Sequence, residues 1–188
     1  MALVYKIQEF LKKKFDELKL ERKDLVQKTN ISYPTICKIM NLSLPNPEIG
    51  TILKIANYFK CSMDEVVGRN EYVTQDKYEF IDISLSNITS NLRNFINNKL
   101  QEQNLNPYKL GRYIGFSENP IQGFVKKNSV QKKLRSEVAV ALADYFQISL
   151  DEMIGRIDPA DDDKLSSLRG GVSRRNDVDH IQLLKCTI

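Results

Sequence analysis

The chain has 188 residues, of which 41% are apolar and 28% charged, and a formal net charge of +4. These are ordinary values for a soluble globular protein. The longest apolar runs, such as Val-Ala-Val-Ala-Leu-Ala at 138–143, are too short to span a bilayer, and the N-terminus lacks the apolar core and small-residue site of a signal peptide. Cys37, Cys61 and Cys186 are widely spaced with no Cys-x-x-Cys, which fits a reducing cytoplasm and argues against a disulfide framework and a zinc site.

In chain order, Ile7, Phe10, Leu11, Phe15 and Leu18 recur at three and four residues and predict a first amphipathic helix. A short second helix around Leu25 should end at Thr29-Asn30, because Asn tolerates the left-handed conformation that closes a helix. Ser32 then caps a third helix. A fourth carries Ile49, Ile52, Leu53, Ala56 and Phe59. A fifth opens with the capping box Ser62-x-x-Glu65 and closes at Gly68.

The stretch from 70 to 85 is acidic and aromatic and reads as a linker with some anchoring. In extended form it places Tyr78, Phe80 and Asp82 on one face, and Glu79, Ile81 and Ile83 on the other. Leu92, Phe95, Ile96 and Leu100 then repeat the pattern of the first helix. Asn106-Pro107 starts the next, with an N-cap followed by proline at the first helical position. Ile114-Gly115 supplies the turn and Ser117 the next cap. Ala139, Val140, Ala143 and Phe146 mark a further helix, and Ser149-x-x-Glu152 with Gly155 frames the last. Neither half shows a strand alternation. The tail carries Asp161-Asp162-Asp163 and Gly170-Gly171, and its first part has a flexible composition.

The chain therefore repeats itself. FLKKKFDELKLERKDLVQKTNISYPTI from Phe10 lies on FINNKLQEQNLNPYKLGRYIGFSENPI from Phe95 without a gap. Two residues of shift later, IANYFKCSMDEVVGR lies on LADYFQISLDEMIGR. A unit of about 65 residues is too long for a solenoid repeat and typical of a small domain. The expected organisation is a first domain at 1–69, a linker at 70–85, a second domain at 86–156 and a tail at 157–188. Each repeat carries a net +4, while linker and tail are net acidic. That distribution points to a polyanionic partner for the repeats.

The spacing Leu20, Leu25, Ile31, Ser32, Ile36, Ile39, Pro47, Leu53, Ala56, Phe59, Ser62, Asp64-Glu65 resembles the lambda-repressor-like, or Cro/cI (XRE), helix-turn-helix family. Leu105, Leu110, Gly115, Phe116, Ser117, Ile121, Phe124, Val140, Ala143, Phe146, Ser149, Asp151-Glu152 repeat it. The resemblance implies an all-α chain of two tandem five-helix domains, each with its third helix directed at the major groove of duplex DNA. It puts Tyr33, Pro34 and Lys38 at base-reading positions, and Arg22, Ser32 and Thr35 at phosphate-contacting ones. Lys38 can donate to guanine acceptors. In the second repeat it puts Ser117, Glu118, Asn119 and Gln122 at the start of the reading helix, with Lys126 and Lys127 as a backbone clamp extended by Lys132, Lys133 and Arg135. The chain departs from the family where Leu42 and Lys127 replace the usual glycine after helix 3. Gly123 also stands where the first repeat has Lys38.

No Ser/His/Asp set, glycine-rich phosphate loop or metal-ligand spacing occurs, and the one histidine, His180, lies in the tail. The reading is a cytoplasmic regulator of transcription, a repressor by expectation, with no catalysis, cofactor or membrane contact. Its partner is duplex DNA, with a homodimer as one mode of assembly. The alternative is an antitoxin-like protein in which the second repeat or the tail serves a protein partner.

Overall fold

A computed structural model describes residues 3–73, 80–116, 120–126 and 133–157. The described residues belong to one compact unit. Its described residues are all-helical, with no strand among them.

The first five helices are α1 (Leu3–Leu18), α2 (Arg22–Thr29), α3 (Tyr33–Met40), α4 (Ile49–Phe59) and α5 (Met63–Val67). Their apolar stripes meet in a core where Ile7, Leu11, Leu25, Ile36, Ile39 and Ile52 are fully buried. Each such side chain stabilises the fold by roughly 1.5–3 kcal/mol over its exposed state. The expected stripe of α1 fails at its end. Leu18 is 56% exposed, because the chain reverses at Lys19 (φ 51°) and Leu20 N–H returns to the Phe15 carbonyl at 3.0 Å. The serine caps form, but at Ser62 only half of the expected capping box does, because the Glu65 side chain pairs with Lys14 at 3.6 Å. Ser32 Oγ accepts from Thr35 N at 3.3 Å and Ser62 Oγ from Glu65 N at 3.0 Å. Asn30 and Gly68 close α2 and α5 in the left-handed region, at φ 52° and 73°.

The next five are α6 (Leu85–Glu102), α7 (Pro107–Tyr113), α8 (Pro120–Val125), α9 (Ser136–Phe146) and α10 (Leu150–Met153). Leu92, Ile96, Leu110, Ile121, Phe124 and Leu142 are their buried apolar side chains, and these join those of α1–α5 in a single core. Asn106 Oδ1 caps α7 through Lys109 N at 2.8 Å, and Ser149 Oγ caps α10 through Glu152 N at 2.9 Å. Gly115 (φ 82°) takes the turn that Asn30 takes earlier. The expected cap Ser117 lies outside the described residues, as do Tyr78, Glu79 and the tail.

The connection is anchored rather than loose. Past a 3-10 turn at Asn70–Tyr72, Phe80 packs under the Arg156 guanidinium with 3.9 Å to the ring centroid. Ile81 N–H donates to the Arg156 carbonyl at 2.9 Å, and Ile83 is buried. Ile81 itself is 50% exposed, so the two isoleucines do not share a buried face. One backbone bond to a neighbour does not hold the segment in the regular pleat that such alternation needs.

α5 and α10 meet in a junction whose bonds come in exchanged pairs, each related by a shift of 87 residues. Asp151 Oδ2 accepts from Met63 N and Asp64 Oδ2 accepts from Leu150 N, both at 2.8 Å. Arg69 pairs with Asp64 and reaches the Ile148 carbonyl at 3.0 Å. Arg156 pairs with Asp151 at 2.7 Å and reaches the Cys61 carbonyl at 3.0 Å. All four charged side chains are buried. Buried charges are tolerated only when paired and hydrogen-bonded, and these are.

Candidate nucleic-acid interface

α2, the turn at 30–32 and α3 form a helix-turn-helix. Thr29 Oγ1 shapes the turn by donating to the Leu25 carbonyl (2.6 Å) while accepting from Ile31 N (3.3 Å). Ile31, Ile36 and Ile39 point into the core. Met40 is buried with them, whereas Tyr33, Pro34 and Lys38 are exposed and Thr35 and Cys37 half-buried. Pro34 sits in the first turn, where no intrahelical N–H is required of it. Gln8 Nε2 of α1 donates to the Met40 carbonyl at 2.6 Å and pins the far end of α3. The helix is thus held at both ends with its outer row free of packing.

Arg22 opens α2 and is half-buried. Its Nη1 lies 3.9 Å from Cys37 Sγ, so the guanidinium leans across the flank of α3. Ser32 is exposed beside it. Leu42, where the family carries glycine, takes φ 58°. A left-handed conformation costs an ordinary residue about 1–2 kcal/mol, and the Ser43 N–H bond to the Lys38 carbonyl at 2.8 Å helps to hold it.

Two basic side chains that the sequence reading did not place in the first interface border it. A groove of about 560 Å³ is lined in part by Ser32, Thr35, Thr51, Lys54, Ile88 and Lys133. Lys54 Nζ is held by the Asn30 carbonyl at 3.0 Å, and Lys133 pairs with Glu48 at 2.7 Å. Lys54 falls on the polar flank of an amphipathic helix and carries no local signal of that position. It becomes visible only when α4 packs beside the turn.

In the second set, Ile121 and Phe124 bury one side of α8, Gln122 is exposed on it and Lys126 is exposed just past its end. Arg93 Nε donates to the Phe124 carbonyl at 2.9 Å and ties α8 to α6, much as Gln8 ties α3 to α1. Ser117, Glu118, Asn119 and Lys127 lie outside the described residues, and Lys132 with them. Of the expected basic cluster, Lys133 pairs with Glu48 and Arg135 with Glu137 at 3.3 Å. α7 differs in character from α2. Tyr108 and Tyr113 are exposed on α7, where α2 has Lys23 and Lys28, and Tyr113 stacks on Tyr145 with 6.1 Å between ring centroids.

The strongly perturbed acids sit in the junction and not on the exposed face. Burial pushes the Asp64 carboxyl up to about 7, against the pull of Arg69, and raises Asp151 against the pull of Arg156. Burial also pushes the Cys61 thiol up to about 12. Among the described residues no group of three or more His, Cys, Asp or Glu side chains is placed to hold a metal, and no helix is long and apolar enough to cross a membrane.

Residues 7–71 match the family model of the Cro/C1-type HTH DNA-binding domain. An uncharacterized HTH-type transcriptional regulator of Rickettsia prowazekii (strain Madrid E) is 53% identical over 72 residues, which cover 37% of this chain and 78% of that protein. Another, from Rickettsia conorii (strain ATCC VR-613 / Malish 7), is 51% identical over 72 residues, covering 37% of this chain and 66% of that protein. No solved structure matches. Helices α6–α10 lie beyond the matched span. With α1–α5 built as a helix-turn-helix and this identity across most of the Rickettsia prowazekii regulator, the chain belongs to the Cro/C1-type helix-turn-helix DNA-binding family.

Proposed function

We propose that this protein is a sequence-specific regulator of transcription that lays α3 in the major groove of duplex DNA. It acts in the cytoplasm by occupying its site and blocking polymerase, with no chemistry on the DNA. The observation that carries this reading is the free outer row of α3, Tyr33, Pro34 and Lys38, on a helix anchored at both ends. Lys38 reads base edges, and Arg22, Ser32 and Thr35 hold the phosphates on either side. α6–α10 are a second domain of the same kind, which the repeated caps and the repeated core positions support. The two regulators named above support the transcriptional role.

Enrichment of bound duplexes from a random pool, followed by sequencing, tests the reading. A recurrent motif is expected, with affinity that falls as salt rises by about 0.9 log units per log unit of salt for each phosphate contact. No enriched sequence and no duplex binding at low salt would sink it. One observation favours a second reading for α6–α10 alone. The exposed Tyr108 and Tyr113 on α7 offer an apolar surface that a protein partner could cover.

A further inference from the structure

We infer that one chain, by itself, is the complete DNA-reading unit, and that its site is two unlike half-sites rather than a palindrome. The inference rests on the DNA-binding reading above and adds its stoichiometry and the form of its target. The ground is the junction of α5 with α10. Its bonds exchange roles under the shift of 87 residues, with Asp64 for Asp151, Arg69 for Arg156, Met63 for Leu150 and Cys61 for Ile148. That exchange is the signature of a two-fold contact, here closed inside a single chain. The face that would pair α5 with another copy is already filled.

A second copy competes for that face, since α5 could accept the α5 of another chain through the same Asp64-to-Met63 bond. Two physical terms favour the internal partner. The tether from Arg69 to Leu85 gives the second half an effective concentration on the order of millimolar. The junction is also flanked by contacts that only the second half can make. Asn46 Oδ1 accepts from Ser136 Oγ at 3.1 Å and from Glu137 N at 3.0 Å. Under the shift of 87 the residue in place of Ser136 is Ile49, which has no hydroxyl. Arg69 Nε donates to Asp144 Oδ1 at 2.7 Å. The residue in place of Asp144 is Asn57, which carries no charge. Pairing two first halves would therefore lose a hydroxyl donor and a carboxylate, which is discrimination against the wrong partner.

α3 and α8 hold the same place in the two halves, and their exposed side chains differ. α3 offers Tyr33 and Lys38, while α8 offers Gln122 and, just past its end, Lys126. Two reading helices about a two-fold axis address half-sites roughly 34 Å apart, one turn of the duplex. Unlike helices require unlike half-sites.

The experiment takes the full chain with a duplex enriched from the random pool. Light scattering gives the number of chains per duplex, and hydroxyl-radical footprinting gives the protected stretches. The expected result is one chain on two protected stretches of different sequence, one helical turn apart. Gln122→Ala with Lys126→Ala should then erase the second stretch, keep the first and weaken binding roughly 10-fold or more. Two chains on a palindrome would overturn the inference. So would one chain protecting a single stretch, or a double variant that leaves both stretches intact; all three leave DNA binding standing. Failure to enrich any duplex would overturn the DNA-binding reading itself and this inference with it.

Discussion

Asp64 and Asp151 each cap the helix in which the other lies. The Asp64 carboxylate accepts the first N–H of α10, the one to which Asp151 is adjacent, and the Asp151 carboxylate accepts the first N–H of α5. Each is held in place by an arginine five residues further along its own half, Arg69 and Arg156. Two helices of five and four residues are too short to be stable alone. They are kept by this exchange and by the core beneath them.

Asp64→Ala should destabilise the chain by about 3–5 kcal/mol, because it removes the buried acid that Arg69 pairs with, leaving that guanidinium only Asp144 and the Ile148 carbonyl, and leaves Leu150 N–H unpaired. Asp151→Ala should cost a similar amount. The double variant should fall short of the sum by about 0.5–3 kcal/mol, since the two acids serve one junction. Urea denaturation of the four proteins measures the cycle, and strict additivity would mean that the two acids act independently.

Lys38→Ala should weaken the preferred duplex by about 1–3 kcal/mol and random duplex much less. Fluorescence anisotropy on both DNAs gives the comparison. Equal losses on both would make Lys38 a phosphate contact.

Arg22→Ala should weaken both duplexes alike and lower the salt slope by about one unit. An unchanged salt slope would place Arg22 off the phosphates.

Cys61 should resist alkylation in the native chain. With its thiol pushed up to about 12 by burial, only about one part in ten thousand is thiolate at pH 8. Its carbonyl is also bonded to Arg156 across the junction. Mass spectrometry after alkylation should find Cys61 unmodified until denaturant opens the α5–α10 contact. Asp151→Ala should bring that opening to lower denaturant.

Local grammar was legible in the sequence where one residue decides the outcome. Ser32, Ser62, Asn106 and Ser149 were readable as caps, and Asn30, Gly68, Gly115 and Gly155 as left-handed turns, because each depends on neighbours within a few positions. Tyr33, Pro34 and Lys38 were named through the family resemblance, and their exposure goes with Ile36 and Ile39 turning into the core. The junction was not legible. Asp64 and Asp151 looked like first-turn acids beside a capping glutamate, and their N–H partners stand 86 and 88 residues away. Arg22 could be assigned to phosphate by position, but its lean onto Cys37 depends on how closely α2 crosses α3. Lys133 read as part of a basic clamp on the DNA backbone, and its pairing with Glu48, 85 residues away, left no local signal.

The donors that these two acids meet are main-chain N–H groups, so at 63 and 150 it is the apolar core, where both side chains are fully buried, and not the junction bond that selects the residue. Any residue but proline at 63 or 150 supplies the same hydrogen, whereas no side chain other than an acceptor of the same reach replaces position 64 or 151. α3 and α8 contribute nothing to those bonds. α3 and α8 can therefore diverge independently while α5 and α10 stay locked together, so on the reading proposed above a change of sequence at one half-site leaves the assembly on the other undisturbed.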